Sequence, residues 1–430
     1  MFGWVCARPK RVRPLGMGSS IRQPVLFARS GRGASRRESD MNAAILTAFS
    51  GVFALGVIFA IFGSIKLKLQ EQLKIDDAKA SRLISSLMFS CLVFSLLIGV
   101  LTPTLGFRNV GLLGFGAGAL CVWLLATTTN YTGALVSFIA LGLAAMCVNT
   151  VGNTLGPQIL FGGKNPAAAS NLMNGFFGVG SFLTPLIIGN LIGKAGYKAT
   201  LFLIGLMLAI PIIWTMNAWN LPSAGNPFDM ERAISLLKNP AVLMGGAALF
   251  CYISLEATLG GFLTTYLADH KVDPGKVNNW LSLFWIMITV ARLFTAALGA
   301  YVLKDAGPMF FKVYVPLLAL IAAVSLMVMV NAKGVGAAII AMLVTGFALG
   351  PCFPTLVGVT FSKTGPSAEV FGTIFAIGLM GGIFTPGLMG SYSASGNIRK
   401  GMKVLAGMAV GLLVLSAVLG LGIADLPVAK

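Results

Sequence analysis

The chain has 430 residues, of which 57% are hydrophobic and 10% are charged, and its formal net charge is +18. Soluble domains usually contain about 25% charged residues, so the composition excludes a soluble protein and indicates one that crosses the lipid bilayer several times. The basic residues do not alternate with aromatic residues along one face, so no nucleic-acid site is predicted. No pair of the six cysteines has metal-ligand spacing, so no metal site, disulfide framework or cofactor is predicted.

Residues 1–42 form a basic amino-terminal extension. Residues 1–40 hold nine Arg and Lys against two acidic residues, and they lack the apolar core of a secretory signal peptide. Two interpretations are open: a disordered basic tail, or a start assigned too early, with Met41 as the true first residue. We favour Met41, because the first predicted membrane helix follows it directly.

Charged and turn residues divide the rest of the chain into twelve predicted membrane helices. The widest polar gap, 219–240, is a central linker between an amino-terminal half (43–218) and a carboxyl-terminal half (241–424), and 425–430 is a short tail. The apolar runs suit a hydrocarbon core of about 30 Å, which needs about 20 helical residues. The predicted helices are 43–66, 82–103, 110–128, 132–155, 170–193, 199–218, 241–268, 278–300, 309–330, 335–359, 369–391 and 402–424.

The two halves share short sequences at equivalent positions. KIDDAKA at 74–80 matches KVDPGKV at 271–277, and GSFLTPLIIG at 180–189 matches GGIFTPGLMG at 381–390. Two matches at nearly the same offset indicate duplication of a six-helix unit. In transporters with such repeats, the solute site lies between the halves near the middle of the bilayer.

Glu256 and Arg292 are predicted to be the only ionised side chains well inside the membrane helices. Each costs about 2.5–3.5 kcal/mol at the bilayer centre on insertion scales, so each needs a partner or a cavity. We interpret Glu256 as a proton-titrating or solute-binding carboxylate, and the alternative is a packing ion pair or a hydrogen-bonded strut between helices. For Arg292 we favour a structural tie to backbone carbonyls or to a loop.

Four asparagines form a second polar group. Asn149 and Asn153 lie four residues apart in the fourth helix, and Asn171 and Asn174 lie three apart at the start of the fifth, so each pair shares a helix face. An amide offers donors and an acceptor, which suits a ligand with neighbouring hydroxyl groups. The alternative is hydrogen bonding between helices, worth only about 0.6 kcal/mol per contact on average. We favour the binding role.

Four segments in the fourth, fifth, seventh and eleventh predicted helices carry a family resemblance. They are CVNTVGNTLGP (147–157), SNLMNGFFGVG (170–180), YISLEATLGGFLTTYL (252–267) and FGTIFAIGLMGGIFTPGLMG (371–390). From about residue 41 to 424, the chain resembles the major facilitator superfamily and, within it, the fucose permease group of sugar–proton symporters. The resemblance implies an all-α integral membrane protein with twelve transmembrane helices in two duplicated six-helix bundles.

The sequence departs from that group at positions that bear on ion coupling. The group's glutamate in the fourth helix is Asn149 here, its aspartate in the first helix falls at Gly63, and its glutamine in the fifth helix is Asn174. An amide binds a hydroxyl group but does not titrate, so Glu256 is left as the candidate for proton coupling. The superfamily's loop motif after the second helix survives only in three residues, which we regard, with Arg292, as structural or gating candidates: Gly99, Gly106 and Arg108.

The predicted function is secondary transport of a small polar solute by alternating access, with a monosaccharide favoured and H+ as one candidate coupling ion. The alternatives are facilitated diffusion, sodium-coupled carriage of a non-sugar metabolite, organic anion or drug, and, more remotely, a transporter-derived membrane sensor. An enzyme is excluded for want of a paired acid and base, a metal or a nucleophile–histidine arrangement. We expect a monomer in the plasma (inner) membrane. The predicted solute-binding residues are Asn149, Asn153, Asn171, Asn174, Tyr252 and Glu256.

Overall fold

The computed structural model describes residues 30–160, 166–219, 221–223, 228–298, 307–365 and 367–420. Within these ranges, ten helical stretches are long and apolar enough to cross a membrane. Two of the ten are each divided by a glycine with a positive φ, Gly106 (φ 76°) and Gly196 (φ 82°). The described residues therefore hold twelve membrane helices, and the predicted all-α fold class is confirmed.

We number these helices α1 to α12 in chain order. Those of the amino-terminal half are α1 (Ser30–Leu73), α2 and α3 (Asp77–Thr127, divided at Gly106), α4 (Tyr131–Thr150), and α5 and α6 (Pro166–Ala209, divided at Gly196). Those of the carboxyl-terminal half are α7 (Pro240–Asp269), α8 (Val277–Ala297), α9 (Gly307–Asn331), α10 (Val335–Leu349, continued by Cys352–Thr364), α11 (Ala368–Ala394) and α12 (Ile398–Gly420). A short linker helix, Met230–Ser235, precedes α7.

Helix ends follow local sequence signals. The side chains of Asp76 and Asn130 each accept a hydrogen bond, at 2.8 Å, from the N–H three residues on, which caps α2 and α4. Helix α1 continues past its predicted end at 66, because neither Gly nor Pro interrupts it before the turn at Lys74 (φ 53°). It begins at Ser30, so residues 30–42 of the predicted extension are helical, whereas residues 1–29 and the tail 425–430 lie outside the described ranges.

Buried apolar side chains fall into two clusters. One joins side chains from 48 to 208 together with Leu379, and the other joins side chains from 241 to 419. Many large apolar side chains elsewhere are exposed, among them Val136, Leu120 and Ile340, as expected for surfaces that face hydrocarbon rather than water. Each half of the sequence thus packs around its own core.

The two halves meet at the end of the molecule opposite the linker. Gly63 of α1 lies so close to α7 that an added Cβ would come within 1.8 Å of the Gly260 carbonyl oxygen, and Thr264 Oγ1 donates to the Gly63 carbonyl at 3.1 Å. Ser85 Oγ of α2 donates to the Ile383 carbonyl of α11 at 2.7 Å. Because α1 packs on α7 and α2 packs on α11 at this end, we call it the closed end.

Candidate functional site

Glu256 of α7 and Arg292 of α8 form an ion pair. Arg292 Nη2 lies 3.0 Å from Glu256 Oε1 and donates to Tyr252 Oη at 3.0 Å, and the Tyr252 hydroxyl donates to Glu256 Oε1 at 2.7 Å. The side chains of Glu256 and Arg292 are 18% and 7% exposed, so the pair is largely buried and the carboxylate is its more open member. Each side chain thus has the partner that an ionised group in a membrane helix requires.

Arg292 is also tied to the backbone of α10. Its Nε donates to the Gly350 carbonyl at 2.8 Å. In an α-helix that carbonyl would accept from the N–H four residues on, but this residue is Pro354, which has no N–H. The guanidinium therefore donates to a carbonyl that proline has left without a main-chain donor. The sequence analysis favoured such a tie between Arg292 and a backbone carbonyl.

Aromatic side chains surround this pair. The ring centroid of Phe177, on α5 of the other half, lies 5.4 Å from Arg292 Cζ. The Tyr252 ring lies 5.9 Å from Phe353, which lies 6.1 Å from Phe375. The three phenylalanines are only partly buried. The ion pair thus lies where the amino-terminal half meets the carboxyl-terminal half.

The predicted amides are brought together only in part. Asn153 Nδ2 donates to Asn149 Oδ1 at 2.8 Å, and both side chains are partly buried. Asn153 stands in a π-helical turn, Val151–Leu155, and such turns are frequent at functional sites. Asn174 is partly buried on α5, one turn before the phenylalanine that faces the guanidinium. The side chain of Asn171 lies outside the described part of the structure.

A second buried ion pair joins Lys66 of α1 to Asp77 of α2. The Lys66 Nζ atom lies 2.6 Å from Asp77 Oδ1, 2.5 Å from Thr265 Oγ1 and 3.7 Å from the ring centroid of Phe262, both on α7. The Ser393 hydroxyl of α11 donates to Asp77 Oδ2. Because α1 and α2 belong to one half and α7 and α11 to the other, this pair holds the closed end together.

The sequence analysis predicted neither this second ion pair nor the burial of Lys66. The side chain of Lys66 is fully buried. It was assigned to a helix end because a charge was taken to end the span, whereas α1 continues for seven further residues. The signal available was the absence of Gly and Pro between Lys66 and Lys74.

The three residues of the loop motif lie at the linker end. Gly106 makes the break between α2 and α3 with a φ of 76°, a conformation that favours glycine. Arg108 donates from Nε and Nη2 to the Met216 carbonyl at 3.1 and 3.0 Å, and its Cζ lies 3.6 Å from the ring centroid of Trp219. Gly99 lies on α2 and faces the central linker. Arg108 thus ties the start of α3 to the segment that follows α6.

The site offers hydrogen-bonding groups and aromatic surfaces. The charges of Glu256 and Arg292 cancel, and Asn149 and Asn153 form a separate, uncharged hydrogen-bonded pair at the end of α4. Within the described residues, no three or more His, Cys, Asp and Glu side chains lie close enough together to hold a metal ion. Such an arrangement suits reversible binding of an uncharged polar molecule.

Comparison with known proteins identifies relatives. A family model described as Major Facilitator Superfamily matches residues 47–386. The protein "Bypass of stop codon protein 6" of Saccharomyces cerevisiae is 25% identical over 218 residues, which is 44% of this chain and 43% of that protein's length. The crystal structure of the nucleoside transporter NupG has a TM-score of 0.69 at 16% identity and covers 89% of this chain and 99% of that one. At that identity, the likeness to NupG supports the fold alone.

Proposed function

This chain belongs to the Major Facilitator Superfamily, and we propose that it moves a small, uncharged, polar solute across a membrane by alternating access. A monosaccharide is the first candidate. The fold and the family support a transporter, and the chemistry of the site supports the choice of solute. The resemblance to the fucose permease group is the reason for naming a monosaccharide first.

The observation that carries this proposal is the ion pair between Glu256 and Arg292. An unpaired arginine in the membrane would favour an organic anion. The charge of Arg292, however, is balanced by Glu256, whose Oε1 lies 3.0 Å from Arg292 Nη2. An anionic solute would have to separate this pair and leave the Glu256 carboxylate without its partner, which is costly in a buried site. A neutral polyol instead finds a paired donor and acceptor that its hydroxyl groups can bridge.

A nucleoside is the second candidate. It is also uncharged and carries hydroxyl groups, and the partly buried rings of Phe177, Phe353 and Phe375 offer faces for a base. Stacking of a base on an aromatic ring contributes about 1–3 kcal/mol. NupG, which shares the fold, is described as a nucleoside transporter.

We propose Glu256 as the coupling group if transport is driven by protons. A proton on its carboxylate would cancel the negative charge and weaken the bond to Arg292, whose Nη2 would then be free to donate to the solute. The closed end opposite the linker must also open in each cycle. Sodium-coupled and uncoupled transport are the alternatives that the same measurement separates.

The test is uptake of labelled monosaccharides and nucleosides into proteoliposomes, with no gradient, an inward proton gradient or an inward sodium gradient. A sugar phosphate serves as the anionic counterpart of matched size, and protein-free liposomes give the background. We expect saturable uptake of one neutral solute and none of the sugar phosphate. Preferential uptake of the sugar phosphate would overturn the assignment to a neutral solute.

A further inference from the structure

Helices α2 and α11 belong to different halves and touch at the closed end of the molecule. Ser85 Oγ donates to the Ile383 carbonyl at 2.7 Å. A Cβ added at Gly390 of α11 would lie 2.1 Å from Ser81 Oγ of α2, so the two backbones approach as closely as small residues allow. At this end the two helices are in direct contact.

At the linker end, one side chain lies between the same two helices. The Phe228 Cβ atom lies 3.8 Å from the Cβ position of Gly99 on α2. The far edge of its ring, Cε2 and Cζ, lies 2.6 and 3.0 Å from the Cβ position of Gly372 on α11. The side chain therefore reaches from one helix to the other, and its length sets their separation at this level.

The residues that follow Phe228 in the linker are hydrogen-bonded to one another and to α11. The next residue, Asp229, caps the linker helix by accepting from the Arg232 N–H at 3.0 Å. That helix is attached to α11, because Thr373 Oγ1 donates to the Ala233 carbonyl at 3.3 Å. Phe228 thus moves with α11, and α2 cannot approach α11 here unless the ring leaves the gap.

We propose that Phe228 is a positioning residue for transport: its ring holds α2 and α11 apart at the linker end and favours the state in which this end is open. The proposal depends on the proposed transport function only for the role of Phe228 in the transport cycle. The separation of α2 and α11 by the ring does not depend on a solute. The proposal also gives Gly372 a role, because a Cβ at that position would come within 2.6 Å of the Phe228 ring. Closing the linker end then requires that the ring be withdrawn.

The test measures distances between spin labels by pulsed electron paramagnetic resonance in the full chain, reconstituted in nanodiscs, with native cysteines replaced. One label pair, at Thr104 and Ser362, reports on the linker end, and a second, at Lys79 and Ser395, reports on the opposite end. Phe228→Ala should increase the population of molecules with the short distance at the linker end, relative to those with the long distance. We expect this population ratio to rise about fivefold, which corresponds to about 1 kcal/mol. The opposite pair should lengthen in the same molecules.

Two further variants make the result specific. Phe228→Leu retains part of the spacer and should give an intermediate ratio, and it serves if the alanine variant does not fold. Met230→Ala, at an exposed site two residues along the same linker, should leave both distances unchanged. Parental distances in folded Phe228→Ala and Phe228→Leu would overturn the proposal. Because no solute is added, this failure is distinguishable from a failure to find transport.

Discussion

The buried pair of Lys66 and Asp77 gives the sharpest test of the energetics. Asp77→Leu removes the carboxylate that lies 2.6 Å from the Lys66 ammonium and leaves Lys66 with the Thr265 hydroxyl and the Phe262 ring. Lys66 is fully buried, so water cannot replace the lost partner without opening the contact between the halves.

Removing one member of a buried ion pair costs about 3–5 kcal/mol, whereas replacing both members by apolar residues of similar volume is often neutral. Asp77 is 14% exposed, so some solvent reaches the pair, and we take the lower value, about 3 kcal/mol, for each single variant, Asp77→Leu and Lys66→Met. Lys66→Met with Asp77→Leu should then lie within about 1 kcal/mol of the parent.

The assay is a double-mutant cycle of Lys66→Met and Asp77→Leu, with the unfolding free energy measured by denaturant titration in detergent micelles. If each single variant costs about 3 kcal/mol and the double variant at most about 1 kcal/mol, the double variant is more stable than additivity predicts by about 5 kcal/mol. The exposed pair of Lys68 and Glu71, whose side chains are 53% and 70% exposed, is the matched control, and Lys68→Met should cost less than about 1 kcal/mol. Strict additivity at Lys66 and Asp77 would refute the reasoning.

Three further predictions concern the site and one helix break. Glu256→Gln keeps an oxygen acceptor for Arg292 but cannot release a proton, so gradient-driven accumulation should be lost while solute exchange persists; unchanged accumulation would remove Glu256 as the coupling group. Asn149→Ala should raise the KM for uptake about two- to tenfold, the value of one hydrogen bond, and a parental KM would return the amide to a packing role. Gly106→Ala should lower the unfolding free energy by about 1–3 kcal/mol, because φ 76° and ψ 154° lie in a region that is essentially restricted to glycine, whereas Gly116→Ala, in open space on α3, should not.

The sequence predicted the helices well, because a membrane helix has to be apolar over its whole length and its ends are marked by charges and turns. The breaks at Gly106 and Gly196 fall inside predicted loops, 104–109 and 194–198. Lys66 was missed because its charge was read as a helix end. A buried lysine is stable there only because Asp77 and α7 surround it, and the sequence alone does not reveal that packing.

The sequence predicted which residue types form the candidate site, but it did not predict which side chains pair with one another. The cost of a charge in the bilayer implied that Glu256 and Arg292 each have a partner, but their separation of 36 residues in sequence did not show that they pair with each other. Asn149 and Asn153 could be placed together because helical spacing fixes neighbours four residues apart. Contacts between distant helices, such as that of Phe177 with Arg292, require the packed structure.

The proline in α10 gives the site a donor whose position does not depend on what is bound. Pro354 has no N–H, so the Gly350 carbonyl accepts a hydrogen bond from Arg292 Nε instead. The Nη2 atom of Arg292 donates to Tyr252 and Glu256. In the proposed transport cycle, the guanidinium exchanges Glu256 for a solute hydroxyl while its bond to the main chain of another helix keeps it in place. A main-chain oxygen is also unaffected by most substitutions at its own residue, so the position of Arg292 depends on keeping proline at 354 more than on the side chain at 350.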